Sequence, residues 1–76
     1  MKKTMIRLST IEDVRNFVNI VARYDCDIDL SSGRYIVDAK SIMGIFSLDL
    51  LNPIELTAHC ESADRLFEEI KKFIVA

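Results

Sequence analysis

The chain of 76 residues has one histidine, two cysteines, two glycines and one proline, and no tryptophan. No apolar run approaches the ~18–20 residues needed to cross a bilayer, so no membrane span is expected. Two glycines leave little material for a backbone cradle around phosphates, and no glycine-rich phosphate loop is present. No Ser/His/Asp arrangement or paired-carboxylate cleft appears, and the reading is that of a protein that is not an enzyme and carries no cofactor. Basic residues number 10 against 12 acidic ones, with both signs interspersed and a net charge of −2. That balance provides no basic face to neutralise a run of phosphates, which argues against nucleic acid as a partner. Met1-Lys2-Lys3 is followed too soon by Arg7 and Asp13 for a secretion signal, so the expected location is cytoplasmic. In that compartment Cys26 and Cys60, far apart and without a CxxC, are expected to be reduced, small core residues.

What remains is the composition of a packed globular chain: half hydrophobic and 29% charged. Residues 1–76 are expected to form one domain, small enough to bury only roughly 60–65% of its unfolded surface. Thr4 to Leu8 reads as a first strand. Ser9-Thr10-Ile11-Glu12 fits a capping box, with Ser9 as the cap and Glu12 returning to it. The helix that follows places Ile11, Val14, Phe17, Val18, Val21 and Tyr24 on one face. Asp25 to Leu30 alternates, with Cys26, Ile28 and Leu30 opposite three aspartates. Ser31-Ser32-Gly33 supplies a turn, and Arg34 to Ala39 returns as a strand with Tyr35, Val37 and Ala39 inward. After a short helix, Asn52-Pro53 breaks the chain and Ile54 to Cys60 alternates again. Ser62-Ala63-Asp64 opens a last helix with apolar face Ala63, Leu66, Phe67, Ile70, Phe73 and Ile74, and with Lys71 and Lys72 near its end. The order β-α-β-β-α-β-α, with strands polar on one face, predicts an α+β fold: a four-stranded antiparallel sheet with three helices on one side.

The central helix organises the functional reading. Ser41 stands at its N-cap, where the hydroxyl can accept from the backbone of Met43 or Gly44. A helix start also favours added phosphate oxygens. Ile42, Met43 and Phe46 cannot all face one core on so short a helix, so part of this surface is expected to meet solvent or a partner.

From Asp27 to Asp64 the chain resembles the HPr family of bacterial sugar phosphotransferase proteins, and within it the Crh-like branch. The likeness rests on Lys40-Ser41-Ile42-Met43-Gly44-Ile45 and Ser47-Leu48, supported by Asp27-Ile28 with Leu30 and by Ala63-Asp64. It implies the open-faced β-sandwich of that family, the same element order as read above. It also implies phosphorylation of Ser41 by an ATP-dependent HPr kinase. The apolar residues Ile42, Met43 and Phe46 would dock Enzyme I, that kinase, and a repressor or metabolic enzyme. Crh-like proteins can exchange strands, which admits a homodimer, and the run of Leu48, Leu50 and Leu51 is compatible with one.

The sequence departs from the family at its carrier motif, Gly-x-His-x-Arg-Pro, where imidazole is the nucleophile and arginine steadies the charge. Counted back without gaps, Thr10 takes the histidine position and Glu12 the arginine position. Threonine is no comparable nucleophile at neutral pH, and Glu12 and Asp13 would repel an incoming phosphoryl group. His59, the only imidazole, is expected on the polar face of the fourth strand, without an arginine or glycine loop beside it. Asp25, Asp27 and Asp29 imitate the opening of an EF-hand loop, but Leu30 replaces its glycine and Ile36 its closing glutamate, so no metal is expected. Three readings stay open: a regulatory protein switched at Ser41, which leads; a true phosphocarrier with its acceptor elsewhere; and a degenerate structural or oligomerising domain.

Overall fold

The long-range contact that sets the architecture joins two half-buried strands about thirty positions apart. In the computed structural model, which describes residues 1–75, β2 (Ile28–Ser32) pairs antiparallel with β4 (Ile54–Ala58), Ile28 facing Ala58 and Leu30 facing Leu56. All four of these side chains are buried, while Asp29 and Thr57 of the same register face the other way. β1 (Lys2–Ile6) adds to the far side of β4, and β3 (Tyr35–Asp38) to the far side of β2, giving the order β1-β4-β2-β3. Neighbours are antiparallel throughout. The hairpin β2–β3 closes through Gly33 and Arg34, with Gly33 at φ 59°, a conformation that glycine adopts without a Cβ penalty.

Three helices complete the fold: α1 (Ile11–Val21), α2 (Ile42–Phe46) and α3 (Asp64–Glu69). Helix α1 is capped one residue later than the sequence suggests. Thr10 Oγ1 accepts from the Asp13 amide at 3.0 Å, and Asp13 Oδ2 accepts from the Ser9 amide at 3.0 Å, so the pair is Thr10 with Asp13 and not Ser9 with Glu12. Val14, Phe17 and Val21 are buried as expected, each worth about 1.5–3 kcal/mol of burial. Ile11, expected on the same face, is exposed in the first turn. Phe17 meets Phe73 edge to face at 5.9 Å.

The last helix is shorter than its pattern implies. Ala63 provides no side-chain cap, α3 ends at Glu69, and Lys71–Phe73 tightens to a 3₁₀ turn. The tail then runs beside β1: Arg7 donates to the Phe73 carbonyl at 2.8 Å, Val75 donates to Met5 at 3.0 Å, and Ile6 bridges Ile74. Unpaired backbone groups on β1 capture this segment in place of another helical turn. Other boundaries move by a few residues: β1 begins at Lys2 and ends before buried Leu8, and β2 begins at Ile28, so Asp25 and Cys26 precede it. Tyr35 lies on the side of Val37 but is exposed, at the turn end of the edge strand. Leu48 is buried and Leu50 packs on the core, so of that leucine run only Leu51 is exposed.

The expectation that Cys26 and Cys60 remain reduced core residues is corrected. They form a disulfide with Cα atoms 5.1 Å apart. The register that sets Ile28 opposite Ala58, continued by two residues through the 2.8 Å bond from the His59 amide to the Asp27 carbonyl, brings the two cysteines face to face. The bridge spans 34 residues in sequence, for which loop closure gives about 3–4 kcal/mol. Thermal unfolding with and without dithiothreitol is expected to show that loss for the native chain and no response in a Cys26→Ala, Cys60→Ala variant.

Candidate functional site

The turn from β3 into α2 is built by local hydrogen bonds. Asp38 Oδ1 accepts from the Lys40 amide at 2.8 Å, Ser41 donates its amide to the Asp38 carbonyl at 3.0 Å, and Ser41 Oγ accepts from the Gly44 amide at 3.1 Å. Ser41 is therefore the N-cap of α2, and it is exposed. Glycine at position 44 suits a close approach. A Cβ there would stand 3.2 Å from both Ser41 Oγ and Val37 Cβ, so its absence lets α2 lie against β3 without displacing the cap. Of the predicted docking residues, Met43 is 78% and Phe46 42% exposed. Ile42 is half-buried and packs on the core, while Ile45 is fully inside. Leu51, read from the sequence only as part of a leucine run compatible with a homodimer, is exposed in the following loop.

A second set of residues holds this turn from behind, and nothing in the local sequence pattern signals it. The Lys40 ammonium donates to the Tyr24 carbonyl beyond the end of α1. The Tyr24 phenol donates to Glu69 Oε1 at the end of α3, and Glu69 also meets Arg23 at 2.7 Å and Arg65 at 3.7 Å. Partial burial, and then the hydrogen bond to Glu69, raise the phenol above its ordinary 10.0. The same hydrogen bond, opposed by desolvation and reinforced by Arg23 and Arg65, holds the Glu69 carboxyl below its ordinary 4.5.

At the start of α1, Thr10 and Glu12 stand far from any imidazole in sequence and in role. Thr10 Oγ1 is occupied as an acceptor for the Asp13 amide, and Glu12 and Asp13 supply the acidic first turn. His59 follows β4, exposed as expected, and its Nε2 lies 3.1 Å from Asp29 Oδ2. Asp27, Asp29, Asp38 and His59 line a shallow depression on the open sheet face. Asp25 is separated from Asp27 and Asp29 and lies instead beside Arg23, Tyr24, Arg65 and Glu69. The three aspartates thus share no face, and among the described residues no group of His, Cys, Asp and Glu is arranged to hold a metal ion. No helix among the described residues is long and apolar enough to cross a membrane.

Sheet order, antiparallel pairing and three helices on one face define the α+β fold of HPr proteins. A protein described as HPr-C-His from Thermoanaerobacter tengcongensis superimposes with a TM-score of 0.81 at 24% identity, over 95% of this chain and 89% of that one. The phosphocarrier protein HPr of Bacillus anthracis str. Ames gives 0.74 at 24% identity, over 97% and 96%. Crh of Bacillus subtilis, described as an intertwined dimer with a swapped domain, gives 0.66 at 23% identity, over 93% and 88%. No curated protein matches the chain in sequence. Residues 14–76 match the PTS-HPr family, described as "PTS HPr component phosphorylation site". The chain belongs to that family, and the match begins beyond Thr10 and Glu12.

Because the Glu69 carboxyl is held low, its contribution to stability is present above the ordinary carboxylate range and lost as pH falls through its folded value. Glu69→Gln is therefore expected to lower the melting temperature near neutral pH. Scans at falling pH should show the gap to the native chain narrowing below about pH 4.5.

Proposed function

We propose that this HPr-family chain is a regulatory interaction protein and not a phosphoryl carrier, switched by phosphorylation of Ser41 and docking its partners on Ile42, Met43 and Phe46. The observation that carries the reading is a contrast between two helix starts. At α2 an exposed serine hydroxyl adjoins exposed Met43 and Phe46. At α1 Thr10, which counting without gaps sets at the place of the family's nucleophile, has its oxygen engaged as a cap, with Glu12 and Asp13 following in the first turn.

Transfer of a phosphoryl group from ATP to Ser41 Oγ, with loss of the hydroxyl proton, would place about −1.5 to −2 charges beside the apolar pair at neutral pH. A partner that buries Met43 and Phe46 against its own apolar surface would then face a desolvation cost, whereas one presenting arginines would gain charge-assisted hydrogen bonds. The Lys40 ammonium is already turned towards the Tyr24 carbonyl, which leaves the added charge available to a partner. By family resemblance the partners are the HPr kinase and a repressor or metabolic enzyme. The carrier reading lacks similar support: the only imidazole, His59, sits against Asp29, where like charge opposes a phosphoryl donor.

Intact-protein mass spectrometry tests this after two incubations, one with HPr kinase and ATP and one with Enzyme I and phosphoenolpyruvate. One added phosphate is expected in the kinase arm only, and none with Ser41→Ala, a cap deletion costing only about 1 kcal/mol. Mass gained from phosphoenolpyruvate would restore the carrier, and no gain in either arm would leave Ser41 as a cap. Met43→Asp with Phe46→Asp is expected to slow the kinase reaction about tenfold or more while leaving the melting temperature within a few degrees, since both side chains are exposed.

A further inference from the structure

The two edges of the sheet are treated differently by the chain. The β1 edge is covered near its end by the tail through the bonds of Met5 and Arg7 to Val75 and Phe73. Among the described residues the β3 edge has no strand beside it, and it carries Tyr35 at 70% and Ile36 at 69% exposure. It has no proline and its pairing with β2 is continuous, so its shortness, four residues ending in Asp38, is what limits it as an edge.

The backbone polarity of β3 is fixed by its hairpin. Ser32 and Tyr35 flank a two-residue turn, and Ala39 donates to the Ile28 carbonyl at 2.8 Å. Tyr35, Val37 and Ala39 therefore direct their amides and carbonyls to β2, while Ile36 directs both of its own and Asp38 its amide to the free edge, the Asp38 carbonyl already accepting from Ser41. A second copy added antiparallel about a two-fold axis at Ile36 would form a hydrogen-bonded pair between the two Ile36 residues. The same register sets Arg34 opposite Asp38 of the second copy and, by symmetry, Asp38 opposite its Arg34. Ile36 and Asp38 share the open face and Tyr35 with Val37 the helix side, while Arg34 stands in the exposed turn just before the strand. Tyr35 would oppose Val37 of the second copy, an aromatic and β-branched pair.

We infer that the β3 edge is a self-complementary dimer interface, in which two chains join β3 to β3 in the register Arg34–Asp38 and Ile36–Ile36 to give a continuous eight-stranded sheet. The occupant is a second copy of this chain, selected by the charge pattern Arg34-x-x-x-Asp38, which pairs with itself only when antiparallel. This inference does not rest on phosphorylation of Ser41.

Sedimentation equilibrium over a wide concentration series tests it, with circular dichroism confirming that each variant is folded. The native chain is expected to dimerise reversibly. Arg34→Asp, in an exposed turn, sets two carboxylates opposite one another at each end and should weaken association about tenfold or more. Ile36→Lys and Ile36→Glu should each be monomeric alone and should associate when mixed one to one, because Lys then faces Glu at the axis. A native chain that remains monomeric across the series would overturn the inference. So would a native dimer that survives Arg34→Asp, or a mixture of the two Ile36 variants that stays monomeric, since either places the contact on another surface or in another register.

Discussion

The pairing of β2 with β4 is the constraint from which the other features follow. Its strands are buried on one face and polar on the other, so a shift by one residue would turn Ile28, Leu30, Leu56 and Ala58 to water and Asp29 and Glu55 into the core. Once that register is set, Cys26 must meet Cys60, Asp29 must lie near His59, and β3 must take the outside of β2. The Ser41 turn inherits its place from the same pairing. It follows β3 directly, and the Lys40 side chain ties it to the segment just after α1.

The two helix starts show how similar local chemistry leads to different capacities. Both α1 and α2 begin with a hydroxyl that accepts a backbone amide three residues on. At α1 the cap residue is flanked by Glu12 and by Asp13, whose carboxylate also takes the Ser9 amide, so the helix dipole is already answered by the chain's own charges. At α2 the first turn contains no acid at all, and two apolar side chains are exposed beside the hydroxyl. An added anion meets two carboxylates of the helix at the first start and, at the second, only the Asp38 carboxylate that precedes the helix. This asymmetry is the physical basis for proposing regulation at Ser41 over transfer through position 10.

Much of this was legible in the sequence, because its signals are local. The order of elements follows from alternation and helical spacing, and Ser41 as a cap follows from its place before Ile42. The cap of α1 was displaced by one residue because Ser9 and Thr10 are both good caps and Glu12 and Asp13 are both good partners, so spacing alone does not choose between them. Tyr35 was assigned to the correct side of its strand, yet alternation carries no information on how much of an edge strand is covered. The disulfide and the bond between Tyr24 and Glu69 depend on segments 34 and 45 residues apart, which only the assembled sheet brings together. The early end of α3 has the same origin: its apolar spacing continues to Ile74, but the edge of β1 draws that segment out of the helix.

The two proposed surfaces belong to one continuous segment and still present themselves in different directions. Residues 34–38 offer backbone groups sideways, in the plane of the sheet, whereas Ser41, Met43 and Phe46 stand on the helix layer above it. Gly44 lets these layers approach closely, with Val37 beside it. A second copy adding to the strand would leave the exposed part of α2 uncovered, and a partner seated on α2 would leave the outward amides of Ile36 and Asp38 free. Their electrostatics are nonetheless linked. Asp38 terminates β3, caps the Lys40 amide, and lies three positions before Ser41, so a phosphate added there would stand close to the carboxylate that the proposed pairing sets against Arg34. The charge of one surface is therefore part of the environment of the other, without the two sharing a single contact.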